Sequence, residues 1–166
     1  MLKANKRKMK LSGWLKENHA EEYKSHTKIQ GFIFFYEVFS EMDGELADFS
    51  DMKGDKHGIV FETVWADYTM EWEYFDQAIE VCHYPGPRLL NEERARKCAW
   101  IVEKRSEEEV LELMRQMNLW KAKKRSMIRS RQMIDLNGAD FDDKDRQLIR
   151  RLEMEYETQT GKREEA

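Results

Sequence analysis

The run Lys28-Ile29-Gln30-Gly31-Phe32-Ile33-Phe34-Phe35-Tyr36-Glu37-Val38-Phe39 is the most apolar in the chain, and its reading decides the fold. Ile29, Phe32, Ile33, Tyr36 and Phe39 recur at i, i+3, i+4, i+7 and i+10, one face of an α-helix. Phe34, Phe35 and Val38 add apolar groups to the other side, so this helix is buried on most sides. Aromatic and β-branched residues also favour strands. A length of about 12 residues without a turn signal decides for a helix. The fold class expected is therefore mainly α: a compact multi-helix domain built around a buried central helix over 28–41, with room for a minor β element.

Working outward, 28–41 is followed by Met42-Asp43-Gly44, where Gly44 supplies a turn or a positive φ. On the N-terminal side, Thr27 can cap the helix with its hydroxyl. Residues 19–26 read as a polar turn. Residues 9–18 read as a helix carrying Leu11, Trp14 and Leu15 inward, and residues 1–8 as a basic tail. Beyond Gly44, residues 46–58 form an acidic connection. Val60, Val64, Trp65 and Tyr68 then predict a helix starting near Ile59, with a strand as the alternative. Phe32, Ile33, Tyr36, Phe39, Val60, Val64 and Trp65 are expected in one core, and Ile59→Pro would suit a helix start.

Trp72, Phe75 and Ile79 mark a further helix, which ends before Tyr84-Pro85-Gly86-Pro87 because proline disfavours helix in the preceding residue. Asn91 caps the next helix, with Ala95, Cys98, Ala99 and Ile101 inside. Ser106 and Glu109 form a capping box for another. Residues 119–134 read as one basic helix or a pair, and residues 142–157 as an extra amphipathic helix followed by a frayed tail over 158–166. The domain proper thus runs from 9 to 157.

A chain of 166 residues favours one domain. Charged residues make up 37% and mean hydropathy is −0.87, yet 11% aromatics argue against a disordered chain. No apolar run approaches the ~20 residues of a membrane span, and no signal-peptide segment follows the basic start. Cys82 and Cys98 make no disulfide framework, so a cytoplasmic protein with reduced thiols is expected.

None of the nucleotide-binding, hydrolase or zinc-protease motifs is present, which argues against an enzyme. Asp55, His57, Cys82 and His83 match no standard zinc spacing and read as solvated loop side chains, so neither metal nor cofactor is expected. Cys98 reads as a small core residue. The net charge of −4 hides an uneven distribution. Acids dominate from Glu37 to Glu80, including Asp48, Asp51 and Asp55. Lys121, Lys123, Lys124, Arg125, Arg129 and Arg131 then follow without an acid among them. Such a basic run suits phosphate contacts, or pairing with an acidic surface of the same or another chain.

Two segments resemble the Panacea domain, a phage-associated antitoxin domain also called SocA-like. Lys28-Ile29-Gln30-Gly31-Phe32-Ile33-Phe34-Phe35-Tyr36 is similar to its K-[LI]-Q-K-[LF]-[LI]-[YF]-[YF] start. Lys56-His57-Gly58-Ile59-Val60-Phe61, with Val64-Trp65, is similar to its W-x-x-G-P-V-x-x-x-[VI]-[YW] segment. The residues carrying the motifs are Lys28, Gln30, Phe32, Tyr36, His57, Gly58, Val60 and Trp65. Asp55, Ile59 and Gly31 stand where the family has tryptophan, proline and lysine, as in a divergent branch. The resemblance spans about 9–135. It implies a helical domain that neutralises a cognate protein toxin by direct binding, often prophage-encoded, with no catalytic residues.

Two functional expectations follow. In the first, Asp48, Asp51 and Asp55 face a basic surface of the toxin, and their charges steer association. In the second, Lys121 to Arg131 bind nucleic acid in a phage-associated role. Self-association into a homo-oligomer is a third arrangement left open, and no membrane partner is expected.

Overall fold

The structure, a computed structural model, describes residues 1–81 and 90–161. The Tyr84–Pro87 break, Cys82 and His83, and the last five residues of the tail lie outside these. The expected class is found: the described chain is mainly helical, with one small three-stranded antiparallel sheet. The helices are α1 (Lys6–Asn18), α2 (Ala20–Tyr23), α3 (His26–Met42), α4 (Glu62–Met70), α5 (Trp72–Val81), α6 (Glu92–Glu103), α7 (Glu107–Arg115), α8 (Asn118–Lys121), α9 (Lys124–Arg129) and α10 (Asp143–Thr160). The strands β1 (Met52–Gly54), β2 (Ile59–Phe61) and β3 (Ile134–Asp135) lie in the order β2-β1-β3.

Helix α3 is the axis of the molecule, and every residue from Ile29 to Ser40 is buried. Helices α1, α2, α4, α6, α7 and strand β2 all pack on it. Gly31 lets α7 come close: a Cβ there would stand 2.6 Å from Val110 Cγ1. Phe32 stacks on Trp14 of α1, with ring centres 5.7 Å apart and planes 7° from parallel. The cap differs from expectation. Ser25, not Thr27, closes the helix, its Oγ accepting from the Lys28 N–H. Gly44 follows the helix with a φ of 72°, the left-handed turn expected of it.

The segment after Gly44 departs from the helical reading. Ile59–Phe61 is a strand, and the helix begins only at Glu62. Met52 pairs with Phe61 and Gly54 with Ile59 in an antiparallel hairpin. Strand alternation turns Ile59 and Phe61 inward and leaves Val60 half-buried, reversing the face a helix would bury. Trp65 is half-buried as well, while Phe32, Ile33, Tyr36, Phe39 and Val64 are in the core as expected. Ile134, read as the end of a basic helix, instead begins β3 against β1.

The N-terminus is not a loose tail. Helix α1 starts at Lys6, capped by Asn5, and Lys8 is fully buried. The backbone N–H groups of Lys3 and Ala4 donate to the Asp67 carboxylate at 2.8–3.0 Å. Tyr23 of α2 is buried in the stretch read as a polar turn. The C-terminal helix runs on to Thr160, past the expected end at 157, and closes at Gly161 with a φ of 73°.

Candidate functional site

Gln30 joins the two motif segments. The Phe61 N–H donates to its Oε1 at 2.8 Å, and its Nε2 donates to the Phe61 carbonyl at 3.3 Å. The amide of a helix residue thus pairs with the outer edge of β2 as a neighbouring strand would, satisfying two backbone groups that are otherwise stranded at a buried edge. The same Nε2 lies 3.0 Å from His26 Nε2. With that amide donating, the imidazole is neutral, in keeping with a pKa that burial lowers to about 4 against a smaller opposing pull from Glu107. His26 also stacks on Tyr68, with centroids 4.5 Å apart.

The other motif residues serve packing. Phe32 and Tyr36 are core residues, Lys28 and Val60 are half-buried, and His57 is exposed at the hairpin tip. Gly58 is buried, and a Cβ there would meet Leu111 Cδ2 at 3.1 Å. Asp55 Oδ1 accepts from the His57 and Gly58 N–H groups and shapes the two-residue turn.

Asp48, Asp51 and Asp55 lie on the same excursion of chain but are spent inside it. Asp48 accepts from Asn5 Nδ2 at 2.8 Å and from the Ser50 N–H at 3.0 Å, and lies 3.8 Å from Lys8 Nζ. Burial alone would push its pKa up. The bonds from Ser50 and Asn5 and the Lys8 charge outweigh this and hold it at about 2. Asp51 Oδ2 accepts from both the N–H and the hydroxyl of Thr63. It thereby caps α4, whose own N-cap, Phe61, has no side chain able to do so. The Asp55 carbonyl accepts from Trp120 Nε1 at 2.9 Å.

Sequence reasoning missed a buried charge cluster. Glu37 and Lys8, each with a side chain 0% exposed, form an ion pair of 2.7 Å. Arg7 grips the same carboxylate through Nε at 2.9 Å and Nη2 at 2.6 Å, and donates to the Leu46 carbonyl at 3.0 Å. Lys8 Nζ also donates to the Asp48 carbonyl at 2.7 Å and sits 4.2 Å from the centre of the Phe61 ring. Arg94 of α6 reaches Ser40 at 3.1 Å, Asp43 at 2.8 Å and Glu45 at 3.0 Å. Tyr36 lies between Arg7 and Arg94 and accepts from the Asn91 N–H at 2.8 Å. The signal was Glu37 itself. A carboxylate within so apolar a helix demands a buried cation. Burial meanwhile pushes the Cys98 thiol well above its ordinary range, which leaves it protonated and unreactive.

The basic segment is arranged differently from the one long helix allowed for it. Leu119 and Trp120 bury α8, and its first N–H groups, those of Asn118 and Leu119, donate to Asp145 of α10 at 2.6 and 3.0 Å. Met127 anchors α9. Lys124 and Ile128 are one turn apart, as are Arg125 and Arg129, and all four are exposed while Met127 is buried. Lys121, Lys124, Arg125, Arg129 and Arg131 are exposed and Lys123 is half-buried. None of the six has an ion pair or side-chain hydrogen bond among the described residues. The intramolecular pairing with the acidic segment that would have explained them is not made. Among them in the sequence, Ile128 is 68% exposed.

No family model, curated protein or solved structure matches this chain.

Proposed function

We propose that this chain is an antitoxin-like interaction domain that neutralises a cognate protein toxin by direct binding, and that it meets this partner through the α8–α9 face. The observation that carries the reading is the set of six unpaired cations, with the exposed Ile128 among them in the sequence, on a segment whose Trp120 and Met127 are buried. An aliphatic centre within a charged rim has the layout of a protein interface, and the cations select an acidic partner surface. Asp48, Asp51 and Asp55 are engaged in holding the fold, which moves the proposed contact away from them. The resemblance of the α3 and hairpin segments to the Panacea domain supplies the class of partner.

Co-expression with each adjacent reading frame tests this. A neighbouring toxic product is expected to be neutralised and to co-purify. Reversal of Lys124, Arg125 and Arg129 to Glu should abolish both while the helical circular dichroism is retained. Rescue and co-purification that survive the triple reversal would refute the α8–α9 interface.

The same cations favour a second reading, a nucleic-acid-associated phage protein. It expects duplex DNA or RNA to bind without any protein partner, with affinity falling steeply in salt by a log–log slope of about −0.9 per phosphate contact on duplex DNA. Fluorescence anisotropy at two salt concentrations separates the readings.

A further inference from the structure

His19, Glu22 and Glu103 come from three separate places in the chain. His19 closes the α1–α2 corner, Glu22 lies in α2, and Glu103 is the last residue of α6. One ligand atom from each falls within 4.8 Å of the other two. His19 Nδ1 stands 3.7 Å from Glu103 Oε2, too far for a hydrogen bond. Glu22 is only 8% exposed, yet its carboxylate has no hydrogen bond or ion pair among the described residues. Its oxygens keep a little contact with solvent but meet no protein donor, and the carboxylate is aimed at a second carboxylate and an imidazole. Two carboxylates gathered this closely repel each other unless a cation stands between them.

We propose that His19, Glu22 and Glu103 form a binding site for a divalent first-row transition ion of the Zn2+ class, which ties the α1–α2 corner to the end of α6. One imidazole and two carboxylates suit such an ion, whereas Mg2+ prefers an all-oxygen shell with several waters. With metal–ligand bonds of about 2.1 Å, the 3.7 Å separation of His19 Nδ1 and Glu103 Oε2 corresponds to a ligand–metal–ligand angle of roughly 120°, within the range of four-coordinate zinc. His19 and Glu103 are partly exposed, which leaves at least one coordination position open to water or to a side chain from a partner. The site is separate from the α8–α9 face and does not depend on the function proposed for it.

Isothermal titration of the full chain with Zn2+ and with Mg2+, at neutral pH after chelator treatment, tests the proposal. One Zn2+ per chain is expected, with a raised melting temperature and no saturable Mg2+ binding. His19→Gln and Glu103→Gln alter partly exposed side chains, so each should keep the fold while weakening Zn2+ binding about tenfold or more, the loss that even outer-shell partners can cause. A Cys82→Ser, His83→Gln variant should bind as the parent does. No saturable Zn2+ binding, full affinity in both His19→Gln and Glu103→Gln, or loss of binding only in the Cys82, His83 variant would each overturn it.

Discussion

Glu37→Gln is the sharpest test of how the centre of the molecule is held. The Glu37 carboxylate is wholly buried and takes three cationic donor atoms, Arg7 Nε and Nη2 and Lys8 Nζ. Glutamine keeps the shape but removes the charge and presents N–H groups where acceptors are needed. Arg7 can partly recover, since its side chain is 23% exposed and keeps the Leu46 carbonyl. Lys8 cannot. Its side chain is fully buried, and what remains is the Asp48 carbonyl at 2.7 Å and a carboxylate oxygen at 3.8 Å. Leaving a buried charge uncompensated costs about 3–5 kcal/mol, a large share of the ~5–15 kcal/mol that holds a domain together. Lys8→Met removes the cation instead and leaves Glu37 paired with Arg7, so it should cost less than half as much. Urea titrations at 25 °C, with m-values compared to confirm like unfolding transitions, give both numbers. A Glu37→Gln loss under about 1 kcal/mol, or a Lys8→Met loss that equals it, would refute the reasoning from uncompensated burial.

Gly31→Ala should destabilise by about 1–3 kcal/mol through overpacking against Val110 Cγ1, and Val110→Ala should recover part of that in a double-mutant cycle. Asp51→Ala should cost about 1 kcal/mol as a lost cap of α4; a triple neutralisation of Asp48, Asp51 and Asp55 should then visibly lower the melting temperature. For His26, the folded pKa of about 4 lies below the ordinary 6.5, so the proton binds the unfolded chain more tightly. Its contribution is therefore fully present above pH about 6.5 and is lost as pH falls toward about 4. Urea midpoints across that window should fall more steeply for the parent than for His26→Gln, and equal slopes would assign the acid limb elsewhere.

The α3 core was legible because a helix buried all round needs nothing but local pattern. Apolar residues recur every third or fourth position, and most of the residues between them are apolar as well, Gln30, Glu37 and Ser40 being the polar exceptions. The hairpin was not, because Ile59-Val60-Phe61 is apolar throughout and carries no period to separate a strand from a helix. What settles it lies elsewhere in the chain: Gln30 fixing the edge of β2, Met52 and Gly54 pairing across it, and Asp55 bending the turn. The N-terminal lysines and arginine misled for the opposite reason. A basic stretch reads as solvated, and only the position of Glu37 one helix away shows that Arg7 and Lys8 must come in.

That last point governs the reading of the surface as well. A run of like charges states the sign of a field, but whether the field reaches a partner depends on which charges tertiary contacts have already matched. The acidic run from Glu37 to Asp55 looked the stronger candidate by count, yet most of its members are engaged within the fold: Glu37 by Arg7 and Lys8, Asp43 and Glu45 by Arg94, Asp48 by Asn5 and Ser50, and one oxygen of Asp51 by Thr63, while Glu41 stays exposed. Glu62 and Asp135 share Lys53 in the same way. The basic run is a contiguous set of like charges left unmatched among the described residues. It sits on and beside helices α8 and α9, held to the core by Trp120 and Met127, and none of its cations makes an ion pair or side-chain hydrogen bond within the fold among the described residues. Charge reversal there should change binding while leaving stability nearly untouched, whereas the same reversal among the acids would change stability first. That asymmetry, not the number of charges, marks the α8–α9 face as the surface to test.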